Sequence, residues 1–287
     1  MDEMTTEANR SPIVEIYAAL RARNASWAVD VGKPSGPGWI AGSDLRMASA
    51  GPFNELLLRI GEQARTTDRR TIAASYALRH GWASAMAIAP FLEHGCVPDI
   101  SLENISLKFR ASTFFERTAI HDPRGIMMEG DPLAGHQGIT TVTRPYELLR
   151  SLRTALAAQA VPVVEALHEW SGFARRGTWG MLTSSWAEQF TSLQDVGRDQ
   201  RIMLPMLKKF FEGDDIVAIM QPRMHPITCG DVTHLYQRRA SCCRWYLLPG
   251  GELCATCPLV SDEERAARNL AWMRQQLGFR NDRRGHS

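Results

Sequence analysis

Four of the six cysteines in this chain fall within sixteen residues, as Cys242, Cys243, Cys254 and Cys257, in the spacing C-C-x10-C-x2-C. Four thiolates are a donor set for a structural zinc ion and equally for an iron–sulfur cluster. Charge does not separate the two, because Zn²⁺ and an oxidised [2Fe–2S] core both carry +2. Spacing is more informative. Structural zinc sites take ligand pairs two to four residues apart, whereas Cys242 and Cys243 are neighbours and point to opposite sides of an extended chain. Two bridged irons offer two points of attachment. The pattern therefore favours a [2Fe–2S] cluster, with zinc or a redox dithiol as the alternatives.

The residues between the pairs must bring them together. Fully extended, the chain from Cys243 to Cys254 would span about 36 Å. Arg244 to Leu248 is rich in aromatic and aliphatic residues and reads as a strand, Pro249-Gly250-Gly251 as a turn, and Glu252-Leu253 as the start of a return strand. That hairpin would set Cys243 opposite Cys257. Arg238, Arg239 and Arg244 bracket the first pair, either as a solvated edge, as compensation for a negative cluster, or as a clamp for an anionic ligand. Trp245 and Tyr246 are either core residues or stacking surfaces. Arg239, Arg244 and Trp245 are the candidate substrate-binding residues. Cys96 reads as a small buried side chain. Cys229, His225 and His234 are expected outside the ligand set.

Elements that could carry such a site follow from periodicity. Ser11-Pro12 opens a helix with Ile13, Ile16, Tyr17 and Leu20 on one face. Further helices are predicted from Pro52 to Ala64, from Asp68 to Leu92 with a stop near Pro90, from Tyr146 to Ala158, from Pro162 to Trp170, from Thr178 to Phe190 and from Asp199 to Phe211. Alternation at Ile100 and Leu102 and at Ile105, Leu107 and Phe109 predicts strands, and Glu116 to Ile120 and Ile216 to Met220 read as two more. The stretch from Asp122 to Gly138 reads as loop. Ser261 and Glu264 form a capping box for a last helix, with Ala266, Leu270, Met273 and Leu277 as its apolar stripe and Gly278 as its C-cap. The fold class is α+β. A flexible tail over residues 1–10 precedes a helix-rich domain with a few short strands over 11–222. A small C-terminal metal-binding hairpin and helix over 223–287 completes it.

Composition narrows the function. With 287 residues, 22% charged, and a net charge of +2, the chain has no field that points to nucleic acid. Its longest apolar stretch, about Gly81 to Leu92, is too short to span a membrane. The polar N-terminus resembles neither a signal nor a transit peptide, so the expected location is the cytoplasm, where clustered cysteines bind metal more often than they pair. The sequence shows no P-loop, nucleophile elbow or His-Glu-x-x-His.

The pattern C-C-x10-C-x2-C-P with Pro249-Gly250-Gly251 in its spacer resembles the C-terminal motif of FhuF-type ferric siderophore reductases, tightly over residues 238–258. A looser likeness runs upstream, through the helix ending at Ala89-Pro90, the strands through Ile100 and Leu107, and the helix at Thr178-Trp179-Gly180. The resemblance implies that Cys242, Cys243, Cys254 and Cys257 ligate a [2Fe–2S] cluster. It also implies one-electron reduction of a ferric siderophore, releasing Fe(II) in the cytoplasm. No flavin or nicotinamide fingerprint is present, so the electron is expected from an external donor, ferredoxin-like or a thiol reductant. No motif for the siderophore pocket transfers; the helical domain is the expected place. A non-enzymatic iron–sulfur sensor or accessory protein of iron homeostasis, or a zinc-stapled binding protein, are the rival readings.

Overall fold

The structure, a computed structural model, describes residues 11–24, 29–192 and 199–284, so the tail expected over 1–10 lies outside the described residues. Helix α1 (Pro12–Arg23) starts where Ser11 accepts the Ile13 N–H, and it buries the four apolar residues expected. Strands β1 (Val29–Val31) and β2 (Trp39–Ala41) lead to α2 (Gly51–Gln63), whose buried face is Phe53, Leu56, Leu57 and Ile60. Helix α3 (Arg69–Ser84) is capped by the Asp68 carboxylate, which accepts the Arg70 N–H. One helix to Leu92 was the expectation. Instead the chain tightens into a 3-10 turn at 85–87 and restarts as α4 (Ile88–His94). The reason is Pro90, which lacks an N–H and would collide with the carbonyl one turn back. In the first turn of a new helix neither defect matters.

The strands β3 (Cys96–Pro98), β4 (Ile105–Phe109), β5 (Phe115–Ile120), β6 (Gly125–Met128) and β7 (Ile139–Val142) form two small mixed sheets, ordered β1-β5-β4-β2 and β3-β6-β7. Strand β6 therefore lies inside the stretch expected to be loop. Ile100 falls between β3 and a 3-10 turn at Leu102–Asn104 rather than in a strand. Helix α5 (Pro145–Ser171) runs unbroken through Pro162, where two helices were expected. Leu152, Leu156, Val163 and Leu167 continue one buried stripe across the proline, and that burial outweighs the lost hydrogen bond.

Helix α6 (Arg175–Ser192) is buried on nearly every side from Thr178 to Ala187 and packs along α3. The short helices α7 (Leu204–Phe210) and α8 (Ile216–Ile219) follow. The second stands where a strand was expected, because the Asp215 carboxylate accepts the Ala218 N–H and starts a helical turn. Strands β8 (Arg223–Cys229) and β9 (Val232–Arg238) form an antiparallel hairpin. Helix α9 (Asp262–Arg284) packs on β8 and continues past Gly278, which is thus no C-cap. The Ser261 hydroxyl accepts the Glu264 N–H, one arm of the expected capping box, while the Glu264 carboxylate pairs with Arg268 instead of closing the other. The whole is α+β: a helical body with two flanking sheets, then a hairpin, a cysteine segment and a closing helix. Among the described residues no helix is long and apolar enough to cross a membrane.

Candidate metal centre

The cysteine segment leaves β9 at Arg238 and is stitched at once to the body. The Arg239 N–H donates to the Thr256 carbonyl at 2.9 Å, which closes the segment on itself. The Ala240 N–H donates to Ser184 Oγ, and Ser241 Oγ donates to the Gly177 carbonyl at 2.6 Å. This contact is possible because α6 has a glycine there. A Cβ on Gly180 would lie 2.7 Å from Ser241 Oγ and 2.8 Å from Ser241 Cβ. The Thr-Trp-Gly of α6 therefore seats the residue before the first cysteine pair.

The expected strand hairpin between the pairs is absent. Trp245–Leu247 is a 3-10 turn with no buried residue, and the two-stranded hairpin lies upstream in β8 and β9. A strand at Arg244 to Leu248 would need a partner along its length. Arg244 instead takes a left-handed backbone, φ 61°, and turns the chain over. The fold-back is tight at Gly251, where a Cβ would sit 2.0 Å from the Trp245 carbonyl oxygen, so only glycine passes. The thiols meet in a different pairing from the one the hairpin predicted. Cys243 contacts Cys254, and Cys242 contacts Cys257.

Each of the four sulfurs accepts a backbone N–H from the residue two positions on. The Arg244 N–H lies 3.3 Å from Cys242 Sγ. The N–H groups of Trp245, Thr256 and Leu259 serve Cys243, Cys254 and Cys257 in the same way. An N–H aimed at sulfur stabilises thiolate rather than thiol. Four of them, two on each cysteine pair, fit a set of four metal-bound thiolates. Among the described residues no three His, Cys, Asp or Glu side chains gather around one ion; the thiols lie as two pairs.

The electrostatics agree. The hydrogen bond from Cys243 draws the Cys254 thiol down to about 5, with help from the Arg239 charge and Thr256, whose hydroxyl lies 3.5 Å from its sulfur. The same bond, with burial, pushes Cys243 up. Burial raises Cys257.

Other arginines hold the loop backbone. Arg265, only 2% exposed, donates to the carbonyls of Cys257 and Val260. Arg268 donates to the Leu253 carbonyl and Arg238 to that of Pro258.

Of the three substrate candidates, Arg239 lies beside the Cys243–Cys254 pair. The guanidinium of Arg244 donates to Asp68 at 2.9 Å and Thr71 at 3.0 Å, at the start of α3. Trp245 is 52% exposed. Cys96 is fully buried, and burial pushes its thiol up to about 12. Cys229 sits at the turn of the β8–β9 hairpin, about 20 Å of strand from Arg238, where the cysteine segment begins.

Asp68, Thr71, Gly180, Ser241 and Thr256 were not singled out as site residues from the sequence. Thr256, inside the Cys254-x-x-Cys257 turn, had a local signal; Asp68, 176 positions from Arg244, had none. A cleft of about 310 Å³ opens on the Thr256 side, lined also by Glu188, His234, Tyr236, Gln237 and Trp272. Gln237 Nε2 donates to Glu188 at 3.3 Å, and burial raises the Glu188 carboxyl against the pull of Arg239.

Residues 239–259 match the family model described as FhuF 2Fe-2S C-terminal domain, and the match spans all four clustered cysteines. The cofactor of that domain is a [2Fe–2S] cluster, in agreement with the cysteine pattern and the paired thiols. A search of curated proteins finds no match to the chain.

Proposed function

We propose, from a chain whose residues 239–259 carry an FhuF-type [2Fe–2S] domain, that it is a one-electron ferric siderophore reductase. Cys242, Cys243, Cys254 and Cys257 would hold the cluster, which when bound supplies a store for a single electron. The single observation that carries the ligand assignment is the N–H donor directed at each of these four sulfurs.

The remaining work falls to the chain's own residues. The N–H groups of Arg244, Trp245, Thr256 and Leu259 fix the sulfurs and offset their charge. Arg239 adds a positive charge beside the Cys243–Cys254 pair. Thr256 stands between that pair and the cleft, so a ligand in the cleft is one side chain from the metal centre. We assign the ferric chelate to this cleft in place of the helical interior first expected. Fe³⁺ is a hard cation held tightly by oxygen chelators, while Fe²⁺ is held far more weakly, so one electron frees the substrate iron.

The test is direct. Anaerobically purified protein should be coloured, should bleach with dithionite, and should return to its oxidised spectrum on mixing with ferric siderophore. A ferrous-specific trap should take up iron in proportion. A spectrum that bleaches but does not recover with any ferric chelate would leave a sensor or accessory role. A colourless, zinc-loaded protein would remove the redox reading altogether.

A further inference from the structure

Reduction alone does not empty a chelator. An oxygen that lets go of iron keeps its electron pair, and a proton taken up there stops the metal from rebinding. The cleft assigned to the chelate has a carboxyl placed to supply one. Glu188 lines it from α6, half-buried, with Thr256 of the cysteine segment in the same wall. Burial holds this carboxyl above the ordinary range, so it keeps its proton to a higher pH than an exposed glutamate does.

The groups around Glu188 suit a carboxyl that changes form. On β9, Gln237 is 4% exposed; its Nε2 donates to Glu188 Oε2 at 3.3 Å, and its Oε1 is buried with no hydrogen-bond partner. An amide serves both states of a carboxyl. Its nitrogen donates to the carboxylate, and its oxygen, turned toward the carboxyl, accepts from the acid. Beside a permanent carboxylate the buried Oε1 has nothing to accept; beside the acid it does. Arg239, in the cysteine segment, adds a positive charge that favours the carboxylate once the proton has gone. Among the described residues, His234 and Tyr236 of β9 are the other titratable groups lining the cleft, while Gln200, Trp272 and Gln276 carry no charge.

We propose that Glu188 is the proton donor for iron release: its carboxyl protonates an oxygen of the chelator as the bound iron is reduced, and Gln237 positions it. The inference rests on the reductase reading above and on its cleft. One electron from the cysteine-held centre takes the substrate iron from Fe³⁺ to Fe²⁺. An iron–oxygen bond then breaks with its electron pair on oxygen. That pair takes the Glu188 proton to form an O–H bond, and the carboxylate left behind recovers a proton from solvent.

The test uses the intact protein, reduced by dithionite, freed of excess reductant and mixed anaerobically with ferric desferrioxamine, a hexadentate oxygen chelate. A ferrous-specific trap reads the iron released. In the parent protein release should slow as pH rises, because only the acid form donates. Glu188→Gln keeps the contact with Gln237 but has no proton to give. It should lower the rate about tenfold or more at the acidic end and flatten the pH dependence. Glu188→Asp should recover part of the rate. Ferricyanide takes an electron and needs no proton, so its reduction should run alike in the parent and in Glu188→Gln. An unmoved release rate in Glu188→Gln overturns the proposal. An undiminished pH dependence does so too, and points to His234. Equal slowing with ferricyanide also overturns it, since the substitution would then act on the electron. A parent protein whose reduced chromophore the chelate does not reoxidise fails at the earlier control, which identifies the reductase reading, and not the choice of Glu188, as the error.

Discussion

The helical body and the cysteine segment are held together by different physics. In the body, α3 and α6 bury a continuous apolar interior: Tyr76, Ala77, Leu182, Trp186 and Phe190 are each fully enclosed. Between Arg239 and Val260 the buried apolar residues are only Leu248, Cys257 and Val260. What holds this segment is polar: N–H groups on sulfur, and arginines on the carbonyls of Leu253, Cys257, Pro258 and Val260. A body built on burial folds by itself, whereas a segment with almost no core needs its ligand to outweigh the entropy of ordering about twenty residues.

Removing the metal centre should break the contrast most sharply. With Cys257→Ala, or after chelation of the iron, we expect amide protection to vanish across residues 239–260 and to persist in α3 and α6. Hydrogen exchange read by mass spectrometry checks this. Loss of protection in both regions together would show one cooperative unit rather than two.

Acid should reach the body through His80. This imidazole is fully buried in α3, with Tyr76 Oη 3.3 Å from Nδ1, and burial lowers its pKa from 6.5 to about 4. The unfolded chain therefore takes up the proton first as pH falls. The stability present above pH 6.5 is lost between about 6.5 and 4, to a total of about 3 kcal/mol from this residue. Urea unfolding at stepped pH should show the loss, and His80→Gln should flatten it. A flat profile in the parent protein would mean that His80 opens to solvent.

The seam between the two regions is Gly180. In Gly180→Ala the new methyl would meet Ser241 Oγ and Cβ and, at 3.0 Å, Met220 Cε. Relief requires Ser241 to leave the Gly177 carbonyl. We expect a stability loss of about 1–3 kcal/mol and a lower iron content per chain, measured by denaturation and by metal analysis. Full iron content together with a stability loss would confine the role of Gly180 to helix packing.

How far the sequence revealed these features tracks the range of the interaction involved. The cysteine ligand set was legible because its members lie within sixteen residues and metal chemistry restricts who can join. Helix α1 was legible from its apolar stripe, α2 from its opening at Pro52, and the start of α9 from Ser261. The errors came where a local signal was ambiguous or a distant partner decided. Ile216 to Met220 is a short, wholly apolar run whose period cannot distinguish a strand from a single helical turn, and Asp215 tips it to helix. Pro162 looked like a break until the buried stripe of α5 proved continuous across it. Arg244 to Leu248 has strand composition but no neighbouring strand, and one left-handed residue redirects it.

Arg244 gives the smallest effect and the finest resolution of the comparison, because it belongs to both regions. Its backbone N–H serves Cys242, and its guanidinium reaches Asp68 and Thr71 in the body. The clamp is 31% and 41% exposed on its two sides, so solvent screening holds its worth to under about 1 kcal/mol. The left-handed backbone costs about as much for a residue with a Cβ. Arg244→Lys should keep the strain and lose the forked contact, destabilising slightly. Arg244→Gly should lose the contact and relieve the strain, leaving stability nearly unchanged. Both leave the N–H on Cys242 in place, so the midpoint potential should stay close to the parent value in a dithionite titration. A large shift in potential from either substitution would mean that the guanidinium, and not the backbone, tunes the sulfur.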